Sequence, residues 1–206
     1  IAQNVDAFWT GVVIINTADA AASVNVEVYN TDGELLNELT QLDFAAGEKK
    51  TFLVTKDLLP FGAGAAWVKV SGNQPLAGYE LFGTFENADL FAGFEAVTRL
   101  GGRMVLPHTE NAVNAGSYTG VAIINPQDTS VELVLELISQ SGQVKQRVRK
   151  TVLAKQKIVD LISSLFSEAF QLGDIVLVTS DKPIAGFELF GFSTRTMGAI
   201  IAPVYD

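Results

Sequence analysis

Two phrases occur twice in this chain, and together they constrain its fold more than any other feature. Trp9-Thr-Gly-Val-Val-Ile-Ile-Asn16 returns as Tyr118-Thr-Gly-Val-Ala-Ile-Ile-Asn125. Pro75-Leu-Ala-Gly-Tyr-Glu-Leu-Phe-Gly83 returns as Pro183-Ile-Ala-Gly-Phe-Glu-Leu-Phe-Gly191. Between them the halves run nearly in register, Asp19 with Asp128, Glu27 with Glu136 and Gly33 with Gly142. Solenoid units repeat every ~20–50 residues, so a repeat of about a hundred residues reads as a duplicated domain. The expected domains are residues 1–100 and 101–206. Each is long enough to bury a core without metal or disulfide staples.

Local patterning points to strands. Residues 10–16 form a continuous β-branched apolar run, too short for a helix and suited to a strand buried on both faces. Asn16 and Asn125 end the two copies, because an asparagine side chain bonds the backbone two residues on. Val24, Val26 and Val28 alternate with Asn25, Glu27 and Tyr29, and Leu133, Leu135 and Leu137 are their counterparts. Asn30-Thr-Asp-Gly33 and Ser139-Gln-Ser-Gly142 read as hairpin turns with glycine at the positive-φ position. Return strands are expected at 35–44 and 144–153, with further strands at 50–54, 67–70, 175–178, 90–97 and 197–202. Residues 71–75 and 179–183 read as turns, and 104–108 as a strand leading into the second half after a linker at 98–103. Residues 56–61 predict one helical turn stopped by Pro60. Residues 160–170 predict a short helix with Leu161, Leu165, Ile162 and Phe166 on one face. Ile14, Ile15, Leu81, Phe82 and their counterparts are expected in the core. The fold class is all-β: two tandem, internally duplicated β-sandwich domains, Ig-like or jelly-roll-like, with one short helix per domain.

Composition excludes several functions. A formal charge of −9 repels a phosphate backbone, so no nucleic-acid partner is expected. The charge is uneven: residues 1–100 hold five basic against thirteen acidic side chains, residues 101–206 nine against ten. With no cysteine there is no disulfide, thiolate zinc site or thiol nucleophile. No apolar run approaches the ~18 residues of a membrane span. The chain opens on Ile1 without a signal-peptide pattern, which reads as a processed or excised piece. Apolar residues make up 48 % and the mean hydropathy is +0.28. Either the strands are unusually well buried or an apolar surface is reserved for a neighbour.

Thr119-Gly-Val-Ala-Ile-Ile-Asn-Pro126, the glycine-bearing hairpins and the Gly-Phe-Glu-Leu-Phe-Gly ending resemble a tandem module of bacterial secreted and cell-surface proteins. The first half departs from that pattern at Thr17, where proline is usual. The resemblance covers nearly the whole chain and implies a β-sandwich and an exported protein. It implies no activity, because its motifs are turn and core residues.

Candidate chemistry is sparse. His108 is the single histidine, and no nucleophile elbow, zinc-protease motif or phosphate loop accompanies it. It reads as a strand-end imidazole bonded to a loop carbonyl. Glu80 and Glu188 are carboxylates inside apolar strands. They could act as a glycosidase-like acid and base only if they converged within about ten ångströms, yet they fall one per domain. They are expected to accept backbone hydrogen bonds from a turn or from the Thr-Gly backbone of their own domain. Gly62-Ala-Gly64 reads as a turn, and Asp19, Asp32 and Asp128 as turn residues rather than calcium ligands. Neither catalytic residues nor cofactor or metal ligands are expected.

The remaining signal concerns surfaces. Lys145, Arg147 and Arg149 alternate onto one strand face, whereas the matching hairpin carries Glu34, Glu38, Asp43 and Glu48. Opposite charge on equivalent surfaces suits a head-to-tail array. The strand at 104–108 has no counterpart ahead of the first half, which leaves a place for β-augmentation. The apolar segment 199–205, with Ile200 and Ile201, is the expected donor from the next molecule. Lys145, Arg147, Arg149, Glu34, Glu38, Ile200 and Ile201 therefore form the candidate assembly surface. The expectation is a non-enzymatic extracellular or cell-surface structural or adhesive module, partnered by copies of itself or other surface proteins and assembling into a filament or array. The alternative is a carbohydrate-binding module stacking polysaccharide on Trp9, Trp67, Tyr29 and Tyr118.

Overall fold

A computed structural model of the chain describes residues 8–59, 64–86, 90–109, 116–192 and 196–205. The protein is all-β, and the chain divides into two compact units, Ile1–Ala96 and Val97–Asp206.

The first unit holds β1 (Phe8–Asn16), β2 (Ala22–Tyr29), β3 (Leu35–Phe44), β4 (Lys49–Leu53), β5 (Trp67–Gly72), β6 (Leu76–Thr84) and β7 (Phe91–Glu95). They form two antiparallel sheets, ordered β4-β1-β6-β7 and β3-β2-β5. Alternation decides which side chains meet between them. Val12 and Ile14 from one sheet and Val24, Val26 and Val28 from the other share a single core with Phe44, Val54 and Leu58.

The second unit holds β8 (Gly101–Leu106), β9 (Ser117–Ile124), β10 (Val131–Ile138), β11 (Val144–Val152), β12 (Lys157–Leu161), α1 (Ile162–Leu165), β13 (Ile175–Phe192), β14 (Thr196–Ile201) and β15 (Val204–Tyr205). Much of its pairing repeats that of the first unit. Gly11 faces Leu81 as Gly120 faces Leu189, and Val26 faces Val70 as Leu135 faces Val178. The long β13 serves both sheets: Ile175 to Ser180 pair with β10, and Ala185 to Phe192 pair with β9. Residues 179–183, expected as a turn, are instead a bend within this strand. The register shifts there, and Pro183, which has no N–H to donate, sits where the ladder breaks. The first unit interrupts the same path between β5 and β6.

Two helical expectations shrink. The helix expected over 160–170 is the single turn α1, because Asp160 and Leu161 complete β12 against β9. Leu161 is consequently 45 % exposed, while Ile162, Leu165, Phe166 and Phe170 are buried. In the first unit a π-helical turn covers Val54–Leu58. Residues 60–63, with Pro60 and the start of the Gly62-Ala-Gly64 turn, lie outside the described residues.

The repeated phrases split by face. Ile14, Phe82 and Ile123 are buried, but Ile15 is only half-buried and Leu81 is 38 % exposed. The period of two puts Ile15 and Leu81 on the outer face of their sheet, so they are not core residues. Phe82→Ala is therefore expected to cost about 3–5 kcal/mol, and Leu81→Ala less than about 1 kcal/mol, in denaturant unfolding. The glycine of the second phrase is fixed by the neighbouring strand. A Cβ on Gly78 would lie 2.6 Å from the Val13 carbonyl oxygen, and one on Gly186 2.7 Å from that of Ala122.

Candidate functional site

Of the repeated polar residues, Asn16, Asn125 and Glu188 are engaged in hydrogen bonds with the backbone. Asn16 and Asn125 are fully buried. Asn125 Nδ2 donates to the carbonyls of Thr129 (2.8 Å), Val152 (3.1 Å) and Leu153 (2.8 Å), and its Oδ1 accepts the Gln127 N–H. Asn16 does the same work with Ala20 and Ala45 as acceptors and the Ala18 N–H as donor. One amide thus closes the turn after its own strand and ties it to the end of the hairpin in the facing sheet. The bond two residues on was legible in sequence; the tie across the sandwich was not.

Glu188 lies on β13 opposite Val121, facing the interior, and is fully buried. Its carboxyl accepts the His108 backbone N–H at 3.2 and 3.3 Å. Burial pushes its pKa up to about 8, with the His108 hydrogen bond pulling the other way. The donor is therefore the chain leaving β8, not the Thr-Gly backbone or a turn. His108 sets its ring against Phe190 at 4.4 Å. Glu80, the counterpart on β6 opposite Val12, is only half-buried. In the second unit the sealed carboxyl of Glu188 thus takes part in a structural hydrogen bond.

Asp174 and Thr109 escaped the sequence reading. Asp174 is fully buried, accepts Lys145 Nζ at 2.7 Å and the Gln171 N–H at 3.1 Å, and follows Gly173 at φ 94°. Thr109 Oγ1 lies within hydrogen-bond distance of the Asp174 and Gln171 carbonyls. Together they pin the chain leaving β8 to the turn entering β13. The Gly-Asp pair before an apolar strand was the available signal.

The charged hairpins are largely balanced inside their own units. Arg147 faces and ion-pairs with Glu136, and Lys145 with Asp174. Lys150 reaches Asp160 at 3.1 Å. Arg149 is exposed and makes no ion pair among the described residues. In the first unit Glu38 takes the place of Arg147 and faces Glu27, which is neutralised from the opposite side by Lys69 of β5. Glu34 closes its own turn with Asn30. The reversal of sign between the hairpins follows, at these positions, from which neighbouring strand carries the counter-charge.

The expected donor segment is occupied. Ile200 and Ile201 pair with Glu188 and Phe187 within β14, and Val204 and Tyr205 pair with Met104 and Arg103 of β8. The C-terminal strand completes its own unit, so its assignment as a donor to the next molecule is corrected. Two of the aromatic candidates lie inside the first unit rather than on an exposed face. Trp67 and Tyr29 are buried and stacked flat on one another at 4.5 Å. Trp9 stands in the other sheet, half-buried, and Tyr118 in the other unit. Asp19, Asp32 and Asp128 are exposed, and no cluster of potential metal-ligating side chains occurs among the described residues. No described helix is long and apolar enough to cross a membrane.

Neither a family model nor a curated protein matches the chain. Among solved structures, the Thermotoga maritima 1070 protein is similar at 9 % identity with a TM-score of 0.43, over 51 % of this chain and 95 % of that one. The Anabaena sensory rhodopsin transducer is similar at 15 % identity and a TM-score of 0.34, over 45 % and 91 %. A Bacteroides uniformis β-glucuronidase is similar at 10 % identity and a TM-score of 0.18, over 96 % of this chain and 24 % of that enzyme. Likenesses at this level carry no argument about function.

Proposed function

We propose that the chain is a non-enzymatic structural or adhesive module, working outside the cell or on its surface, that engages proteins through its sheets and edges. The supporting observation is the use made of its repeated polar residues. Asn16, Asn125 and Glu188 are spent on backbone hydrogen bonds, as residues that specify a fold should be. The resemblance to tandem modules of bacterial secreted proteins fits the same reading. Other surface proteins or further copies of the chain are its partners, and an array or filament is the form that tandem modules favour. The charged hairpins contribute little to such contacts beyond Arg149 and Glu38.

Labelling of intact cells with an antibody to the chain should stain the surface or the medium. Titration against common polysaccharides should give no saturable binding. Saturable binding lost on Trp9→Ala or Tyr118→Ala would instead make the chain a carbohydrate-binding module.

A further inference from the structure

The two units differ at one edge. In the second, β8 lies against β13, with Met104 facing Val178 and Leu106 facing Val176. Both β8 side chains and both valines are fully buried. In the first unit the equivalent strand is β5, since Val70 and Val68 take the places of Val178 and Val176 in the pairing with the neighbouring strand. Among the described strands β5 pairs with β2 alone. Val68 and Val70 are correspondingly only partly buried against their core. The carboxylates follow the same pattern: Glu188, under the chain that leaves β8, is sealed, while Glu80 is half-buried.

We propose that the outer edge of β5 accepts an extended strand from a protein partner, one that carries two large aliphatic side chains two residues apart, as Met104 and Leu106 are carried on β8. Main-chain hydrogen bonds to the edge supply affinity, and the alternate inward side chains supply specificity. The template for the occupant is β8 itself, which fills the matching place in the same register. The inference deepens the module reading and rests on it only in taking the partner to be a protein.

The test uses the intact chain and a synthetic peptide of residues 99–109. Saturable binding that slows amide hydrogen exchange in β5 is expected, and a peptide bearing Met104→Asp and Leu106→Asp should not bind. A backbone N-methylated peptide should also fail, because it cannot join the ladder. In a second arm, residues 99–109 are placed ahead of Ile1, which reproduces the spacing from β8 to β9. This extension should raise Tm by several degrees, and a scrambled extension should leave it unchanged.

Absence of peptide binding together with an unchanged Tm would overturn the proposal. So would protection confined to β13, which would mean that the peptide had merely replaced β8. Protection of β5 in the chain alone that disappears on dilution would overturn it in favour of a second copy as the occupant. None of these results touches the surface-staining or polysaccharide tests, so failure here is distinguishable from failure of the module reading.

Discussion

Replacing Asn125 by aspartate is expected to unfold the second unit at neutral pH. The Asn125 amide is buried and its nitrogen faces three carbonyl oxygens, those of Thr129, Val152 and Leu153. An aspartate has nearly the same shape but presents a charged acceptor to three acceptors. The carbonyls lose their donor and the carboxylate is buried with only the Gln127 N–H to meet it, at a combined cost of about 3–5 kcal/mol. Asn125→Ala removes the donor without adding charge, so it should cost less, about 2–3 kcal/mol. Denaturant unfolding followed at pH 7 and again near pH 4 separates the effects. Protonation gives the aspartate one donor back, so its deficit should narrow in acid and that of the alanine variant should not. Equal losses for both variants at both pH values would show that the amide is not the tie described here.

Glu188→Gln should stabilise the second unit in mild alkali. In the unfolded chain the carboxyl titrates near 4.5, and in the folded unit burial raises this to about 8. Between those values the folded state holds a proton that the unfolded state has released. The contribution is fully present below about pH 4.5, falls as pH rises towards 8, and is gone above it. Glutamine is neutral throughout and keeps an oxygen to accept the His108 N–H. At pH 8 the variant should therefore exceed the parent by on the order of 4 kcal/mol, with little difference at pH 4.5. Parallel stability curves for the two proteins from pH 5 to pH 8 would refute the buried-acid account.

Much of this fold was legible because its information is local. Alternation in Val24, Val26 and Val28, glycine at the hairpin tips and asparagine at strand ends each act over a few residues. What was not legible depends on partners distant in sequence. Ile15 and Leu81 looked like core because a continuous apolar run does not say which of its faces is inside. Residues 160–170 carry a helical stripe, but β9 takes the first of them as a strand. Tertiary pairing overrides so short a propensity. The bend in β13 was read as a turn because Thr-Ser-Asp-Lys-Pro has turn composition, and only the switch of sheets explains why the chain remains extended through it. The charged hairpins misled for the same reason: the counter-charges of Arg147 and Lys145 sit on Glu136 and Asp174, outside the hairpin strand that carries them.

The placement of β15 has a mechanical consequence. Its two residues run antiparallel to β8, with Tyr205 beside Arg103 and Val204 beside Met104. The incoming end of β8 and the outgoing end of β15 therefore leave the sheet on the same side. Tension applied through those two ends loads the rungs one after another, as in a zipper, and never all together in shear. The second unit should give first at β15, at low force, while β8 remains seated against β13.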